Sequence, residues 1–366
     1  MQKKYIIHLV AAARPNFMKI APLYHALKRE IWASPVIIHT GQHYDPNMSD
    51  AFFHDLELPF PDYHLEVGSG SHAELTGRVM ISYEKLIINQ QPDLVIVVGD
   101  VNSTLAASLA AVKMGFCVAH LESGLRSFDN SMPEEINRIV TDRICHYLWT
   151  PSADADANLM AEGIKKSRIH CVGNIMIDAL EMTRSKIKAT NIVRELNLSD
   201  KSFGLITLHR PSNVDSYKSM EKIVTTLLNI SRQLTLVFPV HPRTAKKLRE
   251  FELYDKLSNA QDIMIYEPMA YIPFMNLVMN AHIVITDSGG IQEETTYLGI
   301  PCLTLRENTE RPITITQGSN RLCNIDNLEN YVHDLLNRKP QTRKVPDLWD
   351  GKTAQRIVKH IFSFLI

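Results

Sequence analysis

The sequence predicts an α/β protein with two Rossmann-like domains facing a central cleft. Short apolar runs rich in β-branched residues alternate with longer helical stretches, which is typical of a parallel sheet covered by helices. This alternation occurs once in each half of the chain, and 366 residues exceed what a single hydrophobic core usually supports. We therefore expect one sheet in each half.

In the first half, the predicted strands lie near Tyr5–Val10, Val36–His39, Leu94–Val98, Cys117–Leu121 and Tyr147–Thr150. The predicted helices cover Phe17–Arg29, Ala73–Asn89, Thr104–Met114 and Glu134–Cys145. Pro22 falls inside the first helix, where a proline bends a helix or delays its regular part. The N-terminal apolar run contains His8 and stops at Arg14, which is short for a secretion signal, so we interpret it as a buried strand.

In the second half, the predicted strands lie near Phe203–Thr207, Thr235–Val240, Ile263–Tyr266, His282–Thr286 and Cys302–Leu305. The predicted helices cover Met220–Arg232, Ala245–Leu257, Ile272–Asn280, Ile291–Leu298 and Leu328–Leu336. We place the N-terminal domain at residues 1–171 and the C-terminal domain at 172–352. A last helix, 353–366, has no sheet nearby in sequence, and we expect it to complete the N-terminal domain.

The composition excludes several classes of protein. Lys+Arg (39) and Asp+Glu (40) nearly cancel, so there is no overall charge to attract nucleic acid or an anionic membrane. No apolar run reaches the ~18 residues needed to span a bilayer. The 5 cysteines are scattered without CxxC spacing and the 15 histidines are dispersed, so we expect neither disulfides nor a metal site. A reducing, cytoplasmic compartment fits these cysteines.

Ligands of open α/β sheets bind beyond the carboxyl ends of the strands, so the residues that follow each strand are the candidate site residues. After the first strand, Arg14 and Lys19 would suit a phosphate, although a solvated helix start is an equal alternative. Asp100 follows the third strand. It is either a site residue or a cap for the helix that starts near Thr104.

Two further acids follow the fourth predicted strand. Glu122 stands at the strand end among basic neighbours, and Glu134 opens the next helix. The alternative role for Glu134 is a surface ion pair with Arg138, four residues along one helix face. If Asp100, Glu122 and Glu134 converge at one edge of the sheet, they form a group suited to general acid/base chemistry.

In the second half, the apolar strand ending at Thr286 is followed by Asp287 and the turn Ser288-Gly289-Gly290. Two glycines let the backbone approach a ligand, and the amides of the first helical turn point at it, as in a phosphate-binding turn. The turn is neither a Walker A motif nor a GxGxxG dinucleotide motif. Glu294, one turn into the helix, would bind ribose hydroxyls. Basic residues at other strand ends add an anion-binding wall: His209, Arg210, His241, Arg243 and Arg311.

Several motifs occur in order over most of the chain. They are ARPNFMKIAPL from Ala13, GDVNSTLAASLAA from Gly99, HLESGLRS from His120, MPEEINR from Met132, DSGGIQEE from Asp287 and TERP from Thr309. With these motifs the chain resembles the non-hydrolysing UDP-N-acetylglucosamine 2-epimerases. The resemblance implies a fold similar to the glycosyltransferase-B type and a homodimer. It also implies interconversion of UDP-GlcNAc and UDP-ManNAc for surface polysaccharide precursors, without a nicotinamide cofactor or metal.

The resemblance also implies a reaction path: removal of the C2 proton, anti elimination of UDP to 2-acetamidoglucal, and re-addition of UDP. By motif match, the acid/base candidates are Asp100, Glu122 and Glu134, with His209 near the phosphates. The residues implied in substrate binding are Arg14, Lys19, Arg138, Arg210, Phe274, Ser288, Gly289, Gly290, Glu294 and Arg311. Some members bind a second, regulatory UDP-GlcNAc, and the matching residues are Gln42, His43, Arg78, Glu135, Arg210 and His241.

Two departures from the family pattern leave alternatives open. The loop GQHYDPNMSD differs from the GQHREML-like loop of the regulated bacterial enzymes. The opening motif has Arg-Pro-Asn-Phe where the best-known members have Arg-Pro-Glu-Ala and a diacetamido-uronate branch has Arg-Pro-Gln-Phe. A 2-epimerase of a diacetamido-uronate is therefore an alternative, as is a hydrolysing epimerase, although Pro15 argues against the latter. A UDP-sugar glycosyltransferase or a non-enzymatic nucleotide-sugar sensor would have no need for the three acids.

Overall fold

The computed structural model describes residues 3–41, 53–337 and 344–366. Contacts between residues divide the chain into two compact units, Met1–Thr183 with Asp347–Ile366, and Arg184–Pro346. The boundaries between the units thus lie after residues 183 and 346, whereas the sequence analysis placed the domain boundaries after residues 171 and 352. No helix of the described residues is long and apolar enough to cross a membrane.

The N-terminal unit is built on a parallel sheet of seven strands in the order β3-β2-β1-β4-β5-β6-β7. The strands are β1 Tyr5–Ala11, β2 Ala33–His39, β3 Tyr63–His64, β4 Leu94–Val98, β5 Val118–Leu121, β6 Tyr147–Thr150 and β7 Ile169–Cys171. Central strands such as β4, with the sequence LVIVV, are buried throughout, as expected when helices cover both faces. The order reverses between β1 and β4, where ligands of such folds bind.

The helices of this unit are α1 Arg14–Lys28, α2 His72–Gln90, α3 Asn102–Lys113, α4 Pro133–Ile144 and α5 Ala153–Ala161, followed by α6 Ile175–Ala189, which leads into the second unit. Ser71 and Glu74 form a capping box at the start of α2. The C-terminal helix, Thr353–Leu365, also belongs to this unit: Asp178 of α6 accepts hydrogen bonds from its first amides, and Trp149 of β6 donates to His360.

The C-terminal unit has a parallel sheet of six strands in the order β10-β9-β8-β11-β12-β13. The strands are β8 Phe203–Thr207, β9 Thr235–Pro239, β10 Ile263–Tyr266, β11 Ile283–Thr286, β12 Cys302–Leu305 and β13 Asn320–Cys323. The helices are α7 Ile192–Glu195, α8 Pro211–Val214, α9 Tyr217–Ser231, α10 Pro242–Glu250, α11 Tyr254–Ser258, α12 Tyr271–Asn280, α13 Gly289–Leu298, α14 Ile313–Thr316 and α15 Ile325–Asn337. The predicted fold class, an α/β chain with two Rossmann-like sheets, is confirmed.

Some predicted elements were wrong in detail. Helix α1 begins at Arg14, not at Phe17, and continues through Pro22. The predicted delay therefore does not occur, because the burial of one side of α1 outweighs the hydrogen bond that proline cannot make. The single helix predicted at Ala245–Leu257 is two helices, α10 and α11, and Glu252 between them has a left-handed φ of 58°. The short edge strands β3 and β13 were not predicted.

Candidate active site

Lys19 and Glu122 form a buried ion pair at the carboxyl ends of β1 and β5. Lys19 Nζ donates to Glu122 Oε2, and the side chains are only 9% and 6% exposed. Glu122 has a φ of 74°, an unfavourable value for a residue with a side chain, which is typical of functional positions. Gly99 lies beside this pair, since a Cβ on Gly99 would be 3.2 Å from Lys19 Nζ and 3.5 Å from Glu122 Oε2.

Asp100, after β4, is held by α4. Arg138 Nη1 donates to Asp100 Oδ2 at 2.5 Å, and Asn137 Nδ2 donates to the Asp100 carbonyl at 2.9 Å. Helix α3 has Val101 at its N-cap and no side-chain cap. The alternative of Asp100 as a helix cap is therefore wrong, and its carboxylate is paired with a cation at the edge that carries Glu122.

The two neighbouring glutamates at the start of α4 differ in burial. Glu134 is exposed in the first turn, whereas Glu135 is buried and accepts from the amides of Ser127 (3.0 Å) and Phe128 (2.9 Å). Arg138 pairs with Glu135 and Asp100, in place of the surface pair considered with Glu134. Burial alone would raise the pKa of Glu135, but the Ser127 amide and Arg138 outweigh it and lower that pKa.

Asn16 in the first turn of α1 bonds to the main chain of two strand ends. Asn16 is 3% exposed; its Oδ1 accepts from the amides of Ala12 (3.3 Å) and Ala13 (3.0 Å), and its Nδ2 donates to the Val98 carbonyl at 3.1 Å. The side chain thus ties the end of β1 to the end of β4. Arg14, two residues earlier, is exposed.

The residues matched to a regulatory site lie in several places. Gln42 and His43 fall outside the described residues. Arg78 on α2 donates to the carbonyls of Val67 and Ser69, each at 2.8 Å, so it holds the preceding loop. His241 is the N-cap of α10 in the other unit and accepts from the Arg243 amide at 3.2 Å.

In the C-terminal unit, Asp287 organises the ends of β8 and β11. Its fully buried carboxylate accepts from the amides of His209 (3.0 Å) and Arg210 (2.9 Å), from Asn213 Nδ2 (3.0 Å) and from His209 Nδ1 (2.9 Å). Burial alone would raise the pKa of Asp287, but His209 and the amide donors lower it. Asp287 therefore fixes the His209 ring through Nδ1. The rings of His209 and His241 are 5.4 Å apart.

The predicted phosphate-binding turn lies at the start of α13. Ser288 is the N-cap residue and makes no side-chain cap, and Gly289 and Gly290 are the first helical residues. A Cβ on Gly289 would lie 2.6 Å from Glu310 Oε1 and 2.8 Å from Arg311 Nη1, so a larger residue there would displace these two side chains. A Cβ on Gly290 would meet no described atom within 4 Å, so packing does not require that glycine.

Arg311 reaches this turn from a buried network of charges. Its Nε lies 2.8 Å from Glu293 Oε1, and its Nη1 donates to Glu310. Glu310 also accepts from Arg306 at 2.7 Å. Burial alone would raise the pKa of Glu310, but Arg311 and Arg306 hold it well below its usual range. The network aligns Arg311 beside Gly289.

Glu294 is buried in α13 and accepts a hydrogen bond from Tyr271 Oη at 2.8 Å. Burial raises the pKa of Glu294 to about 8, with Glu293 adding to the shift. The carboxyl group is therefore uncharged at neutral pH. Phe274 lies one turn after Tyr271 on α12 and is half-buried. Within the described ranges, no group of three or more His, Cys, Asp or Glu side chains could hold a metal ion.

Two doubly wound parallel sheets, with polar residues at the strand ends of each, define an α/β enzyme of the two-Rossmann-unit class. A model of the family described as UDP-N-acetylglucosamine 2-epimerase matches residues 25–362. The chain belongs to this family of isomerases, as the sequence motifs indicated. The family assignment is confirmed at the level of the whole chain.

Similar proteins agree with this assignment. A UDP-N-acetylglucosamine 2-epimerase of Methanococcus maripaludis is 42% identical over 98% of this chain and 99% of its own length. The crystal structure of Methanocaldococcus jannaschii UDP-GlcNAc 2-epimerase in complex with UDP-GlcNAc and UDP has a TM-score of 0.89 and 42% identity, and the match covers 98% of this chain and 99% of that one. A Pseudomonas aeruginosa UDP-2,3-diacetamido-2,3-dideoxy-D-glucuronate 2-epimerase is 38% identical over 86% of each chain.

Proposed function

We propose that this protein interconverts UDP-GlcNAc and UDP-ManNAc by inverting C2 of the sugar. The observation that carries the proposal is the pair of carboxylates at neighbouring strand ends, each matched to its own cation: Glu122 with Lys19 and Asp100 with Arg138. A general acid and a general base in one site are what inversion at a carbon bearing a weakly acidic hydrogen requires. The family assignment supports the same activity.

In the proposed reaction, a base removes the C2 proton and the C–H electron pair forms the C1–C2 double bond of 2-acetamidoglucal. The C1–O bond breaks at the same time, and UDP leaves with its electron pair. A proton then returns to the opposite face of C2, and UDP adds again at C1. Atoms and electrons balance without a redox cofactor.

The N-terminal unit supplies the groups that act on the sugar. Glu122 is the candidate base, and Lys19 Nζ donates to its Oε2 and so orients the carboxylate. Asp100 and Glu134 are the candidates on the other face of C2, and Arg138 holds the first of them. Arg14, exposed at the first turn of α1, and Lys19 supply positive charge for the leaving group.

The C-terminal unit holds UDP. The amides of the first turn of α13 bind the diphosphate, and Gly290, which packing does not require, leaves room for it. Arg311, Arg210 and His209 neutralise the phosphate charge as UDP leaves, and His209 acts through Nε2 because Asp287 engages Nδ1. Phe274 on α12 completes the nucleotide contacts.

Glu294 binds the ribose as an uncharged acid. Tyr271 donates to one carboxyl oxygen, so the proton resides on the other, which donates to a ribose hydroxyl. A neutral group here avoids repulsion with the neighbouring diphosphate. The raised pKa of Glu294, about 8, supports this role.

We propose that the sugar is UDP-GlcNAc and not a diacetamido-uronate. Asn16 is the main departure from the motif of UDP-GlcNAc enzymes, and its side chain bonds to main-chain atoms of Ala12, Ala13 and Val98. These contacts favour a structural role for Asn16 over a contact with the sugar.

Four further parts of the proposal concern the setting of the enzyme. It works as a homodimer, supported by the exposed apolar face of α4 formed by Ile136, Ile139 and Val140 (51%, 38% and 37% exposed). It resides in the cytoplasm, where its five free cysteines remain reduced. Its product serves surface polysaccharide synthesis. A regulatory UDP-GlcNAc would use Arg78, Glu135, Arg210 and His241, together with Gln42 and His43, but the loop that carries Gln42 departs from that of the regulated bacterial enzymes.

The test is product analysis after incubation with UDP-GlcNAc. We expect an equilibrium mixture of UDP-GlcNAc and UDP-ManNAc, resolved by ion-pair chromatography. Release of free ManNAc and UDP would reassign the protein to the hydrolysing branch. Turnover of a UDP-diacetamido-uronate alone would reassign it to the other epimerase branch, and transfer of the sugar to an acceptor would make it a glycosyltransferase.

A further inference from the structure

His120 is a fully buried histidine in β5, two residues before Glu122. Its Nδ1 lies 2.6 Å from Asp142 Oδ1, and its Nε2 lies 2.8 Å from the Gly99 carbonyl oxygen. Both ring nitrogens are therefore within hydrogen-bond distance of a partner, one on each side of the ring. His120 thus links α4, which carries Asp142, to the end of β4.

Asp142 is an ionised partner in this arrangement. Its second oxygen accepts from the Gly124 amide at 3.0 Å and lies 2.8 Å from Arg126 Nη1. Burial alone would raise the pKa of Asp142, but His120 and Arg126 outweigh it and lower that pKa. The carboxylate therefore has donors on both oxygens.

Through Asp142, the pair fixes the loop that follows Glu122. Gly124 has a φ of 80°, and a Cβ on it would lie 2.5 Å from the Ala155 carbonyl oxygen, so the loop packs tightly on α5. Arg126 makes a double hydrogen bond with Glu162, at 2.6 and 2.8 Å. The Gly124 amide and the Arg126 guanidinium thus tie this loop to Asp142 of α4 and to Glu162 at the end of α5.

Through Gly99, the pair also fixes the peptide that leads into Asp100. The Gly99 amide donates to the Leu121 carbonyl at 3.2 Å, and its own carbonyl accepts from His120. Gly99 has a φ of 71° and lies beside Lys19 and Glu122. Rotation of this peptide would move Asp100 and disturb the Lys19–Glu122 pair together.

We propose that His120 and Asp142 are positioning residues that couple the loops of Asp100 and Glu122, so that the two carboxylates keep one mutual geometry. The proposal rests on the proposed epimerase function of these carboxylates. Neither His120 nor Asp142 contacts the substrate. Their effect is on the chemical step, because a displacement of about 1 Å at a reacting group costs on the order of 10²-fold in rate.

The test compares His120→Leu with His120→Gln in the full-length protein. Leucine removes both hydrogen bonds, whereas the glutamine amide can still donate to the Gly99 carbonyl. We expect His120→Leu to lower kcat about 10²-fold with little change in the Kd for UDP, because the turn proposed to bind the diphosphate lies in the C-terminal unit. His120→Gln recovers much of that loss.

His8→Gln is the matched control, because His8 is also fully buried in this sheet and is bonded to Tyr83 Oη at 3.1 Å. We expect it to lower the melting temperature and leave kcat unchanged. An unchanged kcat in both His120 variants would overturn the proposal, as would a parallel loss of kcat and UDP affinity in His120→Gln. If His120→Leu does not fold, His120→Asn takes its place in the comparison. The asparagine side chain keeps the hydrogen bond to Asp142 but loses the one to the Gly99 carbonyl. We therefore expect a lower kcat for His120→Asn than for His120→Gln.

The activity of the unsubstituted parent protein distinguishes failure of this inference from failure of the proposed function. If the parent does not epimerise UDP-GlcNAc, the proposed function fails. The positioning role is then judged by C2 proton exchange on the UDP-sugar that the parent does turn over, relative to the same parent. Equal exchange by parent and His120→Leu on that sugar would overturn the positioning role alone.

Discussion

Lys19 of α1 and Glu122 after β5 are 103 residues apart in sequence and form an ion pair that is almost fully buried. The pair lies where the strand order of the N-terminal sheet reverses, and Glu122 keeps a left-handed backbone to reach it. Burying these two charges costs free energy unless they stay paired, and we have proposed that Glu122 accepts a proton from the sugar. The first predictions address these two effects.

Replacing Glu122 by glutamine keeps the size of the side chain and removes its ability to accept a proton. We expect kcat to fall by about 10²-fold or more, as for loss of a general base. The rate of conversion of UDP-GlcNAc is the measurement, and Glu84→Gln at an exposed position of α2 is the control. A Glu122→Gln variant with normal kcat would remove Glu122 from the mechanism.

Replacing Lys19 by methionine leaves the Glu122 charge buried without its ammonium partner. We expect the free energy of unfolding of the N-terminal unit to fall by about 3–5 kcal/mol. All three tryptophans, Trp32, Trp149 and Trp349, belong to this unit, so tryptophan fluorescence in urea follows its unfolding. The double variant with Glu122→Gln should regain much of the loss. A single-variant loss of less than about 1 kcal/mol would show that the pair behaves as if exposed.

Glu294 predicts a pH dependence in the C-terminal unit. Burial raises the pKa of Glu294 from its ordinary value of 4.5 to about 8 in the folded protein, so folding favours the protonated form. The stabilisation is fully present below about pH 4.5 and is lost as the pH rises to about 8. As the pH rises through this window, the free energy of unfolding of the parent therefore falls relative to that of Glu294→Gln. Hydrogen exchange of the α13 amides measures this difference. A pH-independent difference would contradict the raised pKa.

Replacing Asn16 by glutamine tests whether this position selects the sugar. The extra methylene overfills a buried site, and we expect a loss of about 1–3 kcal/mol in the free energy of unfolding. We expect no turnover of a UDP-diacetamido-uronate to appear. The exposed Asn89→Gln is the control for stability. A gain of activity on the diacetamido-uronate would make residue 16 a determinant of the sugar.

The exposed apolar face of α4 predicts the oligomeric state. Ile136→Asp places a charge on that face, and we expect the dimer to dissociate, as measured by sedimentation velocity. Ile31→Asp is the matched control, because Ile31 is 72% exposed and lies between α1 and β2. An Ile136→Asp protein that stays the size of the parent would exclude this face as the interface.

The sequence predicted the architecture well where a residue's neighbours in sequence decide its structure. Buried β-branched runs such as β4 and β11 were identifiable, and so were the polar residues that follow them. Short edge strands such as β13 were missed because they depend on pairing with a distant strand. The split of the helix at Glu252 was missed because no glycine or proline marks it.

In the candidate site, the sequence identified residue types but not their partners. A surface pair of Arg138 with Glu134 at helix spacing was one alternative, whereas Arg138 pairs with Asp100 and Glu135. The roles of Asp287, which orients His209, and of Asp142, which holds His120, depend on side chains brought together by the fold. In the sequence, the position of Asp287 directly after an apolar strand was the one indication of its role. No feature of the sequence indicated the role of Asp142.

The central claim is that C2 of the sugar exchanges its proton with an acid/base pair in the N-terminal unit. Incubation with UDP-GlcNAc in deuterated water, followed by proton NMR, tests it most directly. We expect deuterium at C2 in both UDP-GlcNAc and UDP-ManNAc, and we expect the Glu122→Gln variant to lose this exchange. Formation of UDP-ManNAc that keeps its C2 proton would contradict the account.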